Sequence, residues 1–597
     1  MEKILVGDEQ LPPNWPVHGT TGYDFAALVD ALLIAPDGEA PLDCCYRDFA
    51  GEVRPLAEEI CAAKRLVMRN LLSSELHVLA SELSRIAESD PHTRDYTLDA
   101  LHDALAEVVA CFPVYRTYIS QQGVSTRDRN QVLKAVSEAR RRSQAPDLSV
   151  LGFVQDVLLT DIAQGKPDGY RARVLRLAMK LQQYTGPVTA KGVEDTAFYR
   201  YNRLVSLNEV GGDPKRFGIS IDAFHRANIR RSVSRPHAML AGSTHDSKRS
   251  EDVRARLHVL SELPAEWREH VERWALLHRR FRRDTDDGTW PDANTEYLLY
   301  QTLLGAWPLG LAAADLRGQA LDAFRERVLG YMQKAVREAK VHTAWTNENS
   351  DYEAALASFV ESVLDPERND AFFEDLAPFQ RRVARLGLFN SLSATLLRLT
   401  APGVPDIYQG SELWSLSLVD PDNRRPVDFD LRQSLLESFE GPKSSGSAQV
   451  DLVRELGESL SDGRTKLYLI HRALELRRSS PELFAHGDYR PLPAEGIHAE
   501  RLCAYARTHA GRSVVAVAPR FLAGLVPPET EAADPFADAG WESTFLEVPS
   551  HELHDELSGI TLQARLRAGQ YVLCAADVLR SFPVGLLFCT DGSHDRF

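Results

Sequence analysis

The sequence predicts an α/β chain that carries a long helical insertion and closes in an all-β segment. Three observations support this. Between residues 181 and about 430, short apolar runs alternate with helical patterns, the mark of βα units and a parallel sheet. Through roughly residues 30–180, apolar side chains recur at helical spacing. After Pro481 the texture changes to short runs rich in β-forming residues.

The elements follow in order. Lys3-Ile4-Leu5-Val6 reads as the end of a strand, and a loop rich in Pro, Gly and Thr runs from Leu11 to Phe25. Leu56, Ile60, Val67, Leu71, Leu76, Leu79, Leu83 and Ile86 form one stripe, on a long helix or a broken pair, ended by Asp90-Pro91. Leu101, Leu105, Val108 and Phe112 start another. Ser125-Thr126-Arg127-Asp128 resembles a capping box before Val132, Leu133 and Val136. Leu148 to Leu159 gives one more helix. This stretch is too long for a loop, so it is predicted to be an inserted subdomain. Val188-Thr189-Ala190, Ala238 to Gly242 and Thr400 to Tyr408 are short enough to be buried strands. Lys466 to Arg478 reads as a final amphipathic helix. Strands are expected at Leu502–Arg507, Ser513–Ala518, Leu562–Leu566, Tyr571–Cys574 and Leu586–Phe588. The division is 1–29, 30–180, 181–484 and 485–597.

Composition excludes several classes of function. With 597 residues the chain has room for about three or four domains. Hydrophobic residues at 44% and charged residues at 26% rule out a mainly disordered chain. No apolar run reaches the roughly 18 residues of a membrane span, so no membrane partner is expected. The net charge of −16 repels phosphate backbones, so no nucleic-acid partner is expected either. The seven cysteines form no C-x-x-C pair and read as reduced thiols. The first residues hold no apolar signal segment, and the expected location is cytoplasmic. There is no P-loop, G-x-G-x-x-G, H-E-x-x-H or G-x-S-x-G, and neither cofactor nor metal is predicted.

Carboxylates at strand ends remain. Asp246 lies in Gly242-Ser243-Thr244-His245-Asp246-Ser247-Lys248-Arg249, directly after an apolar run, and Glu2 precedes Lys3-Ile4-Leu5. Taken alone, each reads as a helix cap or a solvated charge. Glu194-Asp195 could start a helix through its dipole, and Asp420 to Asp428 could be a salt-bridged loop. Spacing alone supports a βα enzyme with acidic loops at strand ends.

These residues belong to longer strings. They are Glu2 to Leu5, Trp15 to Phe25 with Gly19-Thr20-Thr21-Gly22-Tyr23-Asp24, Gln183 to Thr196 with Lys191-Gly192-Val193-Glu194-Asp195-Thr196, Tyr201 to Leu204, Gly242 to Asp252, Gly403 to Gly410, and Val419 to Asp428. Together, and in order along the whole chain, they resemble the maltooligosyl trehalose synthases of the α-amylase superfamily. The resemblance implies a partial TIM (β/α)8 barrel, from about the end of strand five in residues 1–29 to strand eight, with 181–484 as the second half of the catalytic barrel. It implies conversion of the reducing-end α-1,4 bond of a maltooligosaccharide to an α,α-1,1 bond. Such retaining chemistry uses two carboxyls about 5–5.5 Å apart. By the resemblance Glu2 is the acid/base, Asp246 a third carboxylate and His245 its neighbour. Lys191 faces substrate hydroxyls, and Tyr23, Asp24, Lys248 and Arg249 are further substrate-binding positions. The helical insertion is expected to act as a lid that keeps water out.

One departure stands out. The family's nucleophile is an aspartate upstream of the acid/base, and here the acid/base is residue 2, so these 597 residues alone are expected to lack mutase activity. The partners implied are the maltooligosaccharide, the polypeptide bearing the missing half, and a trehalohydrolase acting on the product. Two alternatives stay open: a related α-1,4-glucan hydrolase or glucanotransferase, and an inactive glucan-binding fragment.

Overall fold

The computed structural model describes the chain apart from residues 2, 8, 13, 144–146, 287, 310–316, 440–446, 527–539 and 591–597. Helices dominate its first part: α1 (Tyr23–Leu32), α2 (Glu39–Ala50), α3 (Leu56–Asn70), α4 (Ser73–Ala87), α5 (Leu98–Ala110), α6 (Thr126–Arg142), α7 (Ser149–Leu158) and α8 (Asp168–Thr189). The stripe from Leu56 to Ile86 is therefore the broken pair α3 and α4. At α6 the cap is half a capping box. Ser125 Oγ accepts the Asp128 N–H at 3.0 Å, but the Asp128 carboxylate accepts the Ser125 hydroxyl at 2.7 Å and the Tyr118 N–H at 3.0 Å in place of the Ser125 N–H.

These helices do not share one interior. Cys61, Leu79, Leu105, Val136, Val154 and Val188 belong to a core of their own, built from α3 to α8. By contrast, Phe25 and Leu32 of α1 and Leu42 and Tyr46 of α2 are buried in the two other cores of the molecule. The boundary expected at residue 30 thus falls inside α1. The separate helical core runs from Cys61 to Val188.

The middle of the chain contains α9 (Ile221–Ser234), β1 (Met239–Leu240), α10 (Glu251–His258), α11 (Pro264–His278), the hairpin β2 (Arg283–Thr285) and β3 (Gly288–Trp290), α12 (Ala293–Ala306), α13 (Gly318–Ala339), α14 (Ser350–Val363), α15 (Asp370–Thr400), β4 (Val404–Pro405), α16 (Phe429–Glu437), α17 (Ser447–Glu458) and α18 (Arg464–Ser479). The expected parallel pairing is present in β1 and β4, where Met239 faces Val404 and Leu240 faces Pro405. Among the described residues no other parallel ladder occurs. Two expected strands are corrected. Residues 3–6 form none. Val188-Thr189 ends α8 and Ala190 opens a π-helical turn, Ala190–Glu194. There Val188 continues the helical face of Leu181 and Tyr184 into the core, and tertiary packing overrides the β-branched pair.

The last part begins with the short helix α19 (Pro481–His486). A six-stranded antiparallel sheet follows, made of β5 (Asp488–Pro491), β7 (Leu502–His509), β8 (Arg512–Pro519), β10 (Glu552–Asp555), β11 (Thr561–Gln563) and β14 (Gly585–Thr590). A second sheet joins β6 (Ala494–Gly496), β9 (Thr544–Val548), β12 (Arg565–Arg567) and β13 (Gln570–Cys574), with the helix α20 (Ala575–Leu579) after it. The run Leu562–Leu566, expected as one strand, is split between the two sheets as β11 and β12. The apolar runs of β7 and β8 have a simple cause. Ala504, Ala506, Val515 and Val517 face one core, while Cys503, Tyr505, Val514 and Ala516 face another. Both faces are covered, so neither has to be polar.

The residues around β1 are fixed by close approach. A Cβ on Gly19 would lie 2.5 Å from that of Ala238, and one on Gly22, at φ 92°, would lie 2.6 Å from the Met239 carbonyl oxygen. The Gly-Thr-Thr-Gly string therefore lets the chain entering α1 run directly over β1. At the other end of β1, a Cβ on Gly242 would overlap Arg398 and Glu251. These two belong to a buried ion cluster. Lys466 of α18 donates to both Asp252 oxygens at 3.0 and 2.9 Å and approaches Glu251 at 2.8 Å. Arg398 of α15 pairs with Glu251 through both of its terminal nitrogens. Burial alone would raise the Glu251 carboxyl, but Arg398 and Lys466 hold it well below the usual carboxylate range.

Removing one member of such a cluster leaves a charge buried without its partner. Lys466→Met is expected to lower unfolding stability by about 3–5 kcal/mol in urea titration. Adding Asp252→Asn, which removes the stranded charge yet keeps an acceptor for the Ser415 N–H, should recover a large share of the loss.

Candidate active site

The loop after β1, from Gly242 to Ser250, carries His245 and Asp246. It is shaped from below. Glu209 is buried and accepts the backbone N–H of Lys248 at 2.7 Å and of Arg249 at 3.0 Å, one on each carboxylate oxygen. The loop is also tied to the segment after β4. The Ser250 N–H donates to the Ser417 carbonyl at 2.9 Å, the Ser250 hydroxyl to that of Ser415 at 2.5 Å, and the Ser415 N–H to Asp252 at 2.7 Å. Asn423 Nδ2 donates to the His245 carbonyl at 3.1 Å.

On this frame His245 and Asp246 point outward. Their side chains are 57% and 43% exposed, with Nε2 to Oδ2 at 3.4 Å. The Asp246 N–H donates to Thr244 Oγ1 at 3.2 Å, and Thr244 Oγ1 lies 3.3 Å from the Tyr23 hydroxyl. Tyr23 is otherwise buried, so it supports the loop from α1. Asp24 sits beside Thr20 Oγ1 at 3.4 Å and Arg231 at 3.5 Å, on the wall of a cavity of about 680 Å³ between the N-terminal loop, α1 and α9. A smaller polar pocket of about 240 Å³ separates the His245 loop from the segment after β4, with Thr244, Ser247, Tyr408 and Asn423 on its walls.

Three lysines converge on Asp195. Lys248 is only 9% exposed in its side chain and reaches Asp195 Oδ1 at 2.7 Å, while Lys191, 57% exposed, reaches Asp195 Oδ2 at 2.7 Å. Lys340 Nζ donates to the Asp195 carbonyl at 3.0 Å and to Thr196 Oγ1 at 3.1 Å. Asp195 was read from sequence as part of a helix start. Instead it closes the π-helical turn and gathers three lysines.

Arg249 is 1% exposed and turns inward, donating to the Val205 carbonyl at 3.1 Å and the Tyr331 hydroxyl at 2.6 Å. Glu2 lies outside the described residues. Sequence reasoning missed Glu209, whose signal is a single carboxylate in the stretch Leu207 to Gly212. It also missed Tyr115, 79 residues before the Glu194 carboxylate to which its hydroxyl donates. The salt-bridged reading of 420–428 holds, with Arg327 to Asp422 at 3.0 Å and Lys334 to Asp420 at 2.7 Å. Among the described residues no group of three or more metal-ligating side chains converges. No described helix is long and apolar enough to cross a membrane.

Glu194 is buried, and burial pushes its carboxyl up to about 7 against the opposing pull of Tyr115 and Lys248. The folded protein thus holds a proton that the unfolded chain, titrating near 4.5, has released. This contribution to stability is complete below about pH 4.5 and is lost as pH rises through about 7. Glu194→Gln should lose that part of the pH dependence, so the stability of the unchanged protein relative to the variant falls between pH 4.5 and 7.5 in urea titrations. A constant difference would contradict the assignment.

Comparison with known proteins places these elements in context. No family model matches the chain. A Mycobacterium tuberculosis (strain CDC 1551 / Oshkosh) protein described as "Putative maltooligosyl trehalose synthase" is 33% identical over 562 residues, 94% of this chain. The chain spans 62% of that relative's length. The solved maltooligosyltrehalose synthase of Arthrobacter ramosus superposes with a TM-score of 0.77 at 35% identity, covering 98% of this chain and 65% of the other. A hypothetical maltooligosyl trehalose synthase of Sulfolobus tokodaii gives 0.69 at 27% identity, again over 98% of this chain and 65% of its own. By sequence and by fold, over nearly all of its residues, the chain is a relative of the maltooligosyl trehalose synthases.

Proposed function

We propose that the chain serves the rearrangement of a maltooligosaccharide at its reducing end, turning the terminal α-1,4 bond into an α,α-1,1 bond. The observation that carries this reading is a coincidence of motif and geometry. Segments far apart in sequence, around residues 191–196, 209 and 245–250, meet at one place and bring together His245, Asp246, Lys191 and Lys248. The relatives that the chain matches over nearly all of its length are described as maltooligosyl trehalose synthases.

In this reading Asp246 is an exposed carboxylate that binds sugar hydroxyls and stabilises positive charge developing at the anomeric carbon. His245 stands beside it, and the ammonium groups of Lys191 and Lys248 donate to the hydroxyls of the reducing-end glucose. Glu2 is the acid/base by the same resemblance. Transfer outcompetes hydrolysis when the released glucose turns over in place and water is kept out. The helical unit of α3 to α8 is the element suited to cover it, since its last turn ends at Lys191 and Asp195. Residues 1–29 and 181–484 would belong to a catalytic (β/α) barrel, of which β1 and β4 are the ordered parallel pair.

The test is incubation with maltopentaose, of the chain alone and of the chain supplemented with the part of its relatives that it does not span, followed by proton NMR. Growth of an α,α-1,1 anomeric signal supports the reading, and Asp246→Asn should slow it by about 10²–10³-fold. Shorter products that are all 1,4-linked would replace the proposal by hydrolysis or 4-α-glucan transfer. Binding without turnover, with Asp246→Asn changing affinity alone, would replace it by a glucan-binding role.

A further inference from the structure

We propose that Asp195 is a positioning residue: it ties the last turn of the helical unit to the loop that carries Asp246, and so makes the placement of Lys248 depend on how the helical unit is seated. The inference rests on the functional reading above for its consequence in catalysis, but not for the coupling itself.

The geometry is specific. Helix α8 anchors the helical unit through Leu181, Tyr184 and Val188. Its continuation, the turn Ala190–Glu194, packs on α3, where a Cβ on Gly192 would meet Lys64 at 2.8 Å. The next residue is Asp195. One of its oxygens holds Lys248, 53 residues away on the loop after β1, and the other holds Lys191 in its own turn. Lys340, at φ 54° beyond the end of α13, closes the arrangement from a third side by donating to the Asp195 carbonyl.

The two arms differ in strength. An ion pair with an exposed lysine such as Lys191 contributes little. The buried Lys248 pair is screened far less, and losing the Asp195 charge strands an ammonium over the Tyr199 ring. Burial would raise the Asp195 carboxyl, and Lys248 followed by Lys191 holds it below the ordinary aspartate value. Asp195 therefore stays ionised and its hold on Lys248 persists across the neutral range. Lys248 lies two residues after Asp246, and its backbone N–H is fixed by Glu209. Its side chain is thus tied to the helical unit through Asp195.

The test compares the unchanged protein with Asp195→Asn and Asp195→Glu by lysine acetylation footprinting with mass spectrometry. In the unchanged protein Lys248 should acetylate slowly. In Asp195→Asn it should react at least fivefold faster, while lysines outside the cluster, such as Lys134, keep their rates and report that the fold is intact. Asp195→Glu should restore most of the protection. With maltopentaose, Asp195→Asn should lower kcat at least tenfold with less than a threefold change in KM, and raise the ratio of free glucose to 1,1-linked product. Unchanged Lys248 labelling in Asp195→Asn would overturn the coupling. Absence of any 1,1-linked product from the unchanged protein, both alone and supplemented with the part of its relatives that it does not span, would overturn the functional reading, and the footprint would still decide the coupling.

Discussion

Three buried carboxylates determine the shape of the loop between β1 and α10. Glu209 accepts two consecutive backbone N–H groups from it, and Glu251 and Asp252 at the start of α10 draw in Arg398 and Lys466. Carboxylates removed from water are costly unless paired and hydrogen-bonded. Here the cost fixes the architecture: α15 and α18 must present their cations at the end of β1, and the loop must fold back over Glu209. With these satisfied inside, His245 and Asp246 are left facing outward.

The same constraint explains the small residues nearby. Gly242 leaves room for Arg398 and Glu251, and Gly19 and Gly22 allow the chain to cross β1 at backbone distance. The side chain of Tyr23 then reaches Thr244 from α1. A motif that looks like a string of glycines and threonines is a contact surface for one short strand.

Some of this was legible in the sequence. The strand at 239–240 and its partner at 404–405 were readable because each is an apolar run followed by a polar loop, and the helices from 56 to 158 because their apolar spacing is regular. Val188-Thr189-Ala190 misled because β-branched residues end a long helix whose face is set by packing. His245 and Asp246 were found through a recognisable string. Arg249 sits in the same string but points inward, and a string does not record side-chain direction. Asp195 and Glu209 were illegible as site residues for a related reason: their partners lie 53, 39 and 40 residues away, and only the fold brings them together.

The central claim is that the buried Glu209 carboxylate fixes the loop that carries Asp246. Hydrogen exchange of the 243–250 segment, compared between the unchanged protein and Glu209→Gln, tests it most directly. The amide of Glu209→Gln presents a donor where one of the two N–H groups needs an acceptor. The account predicts slow exchange at Lys248 and Arg249 in the unchanged protein and exchange about tenfold faster or more in the variant. Equal exchange in the two proteins would show that the loop keeps its shape without Glu209, and would contradict the account.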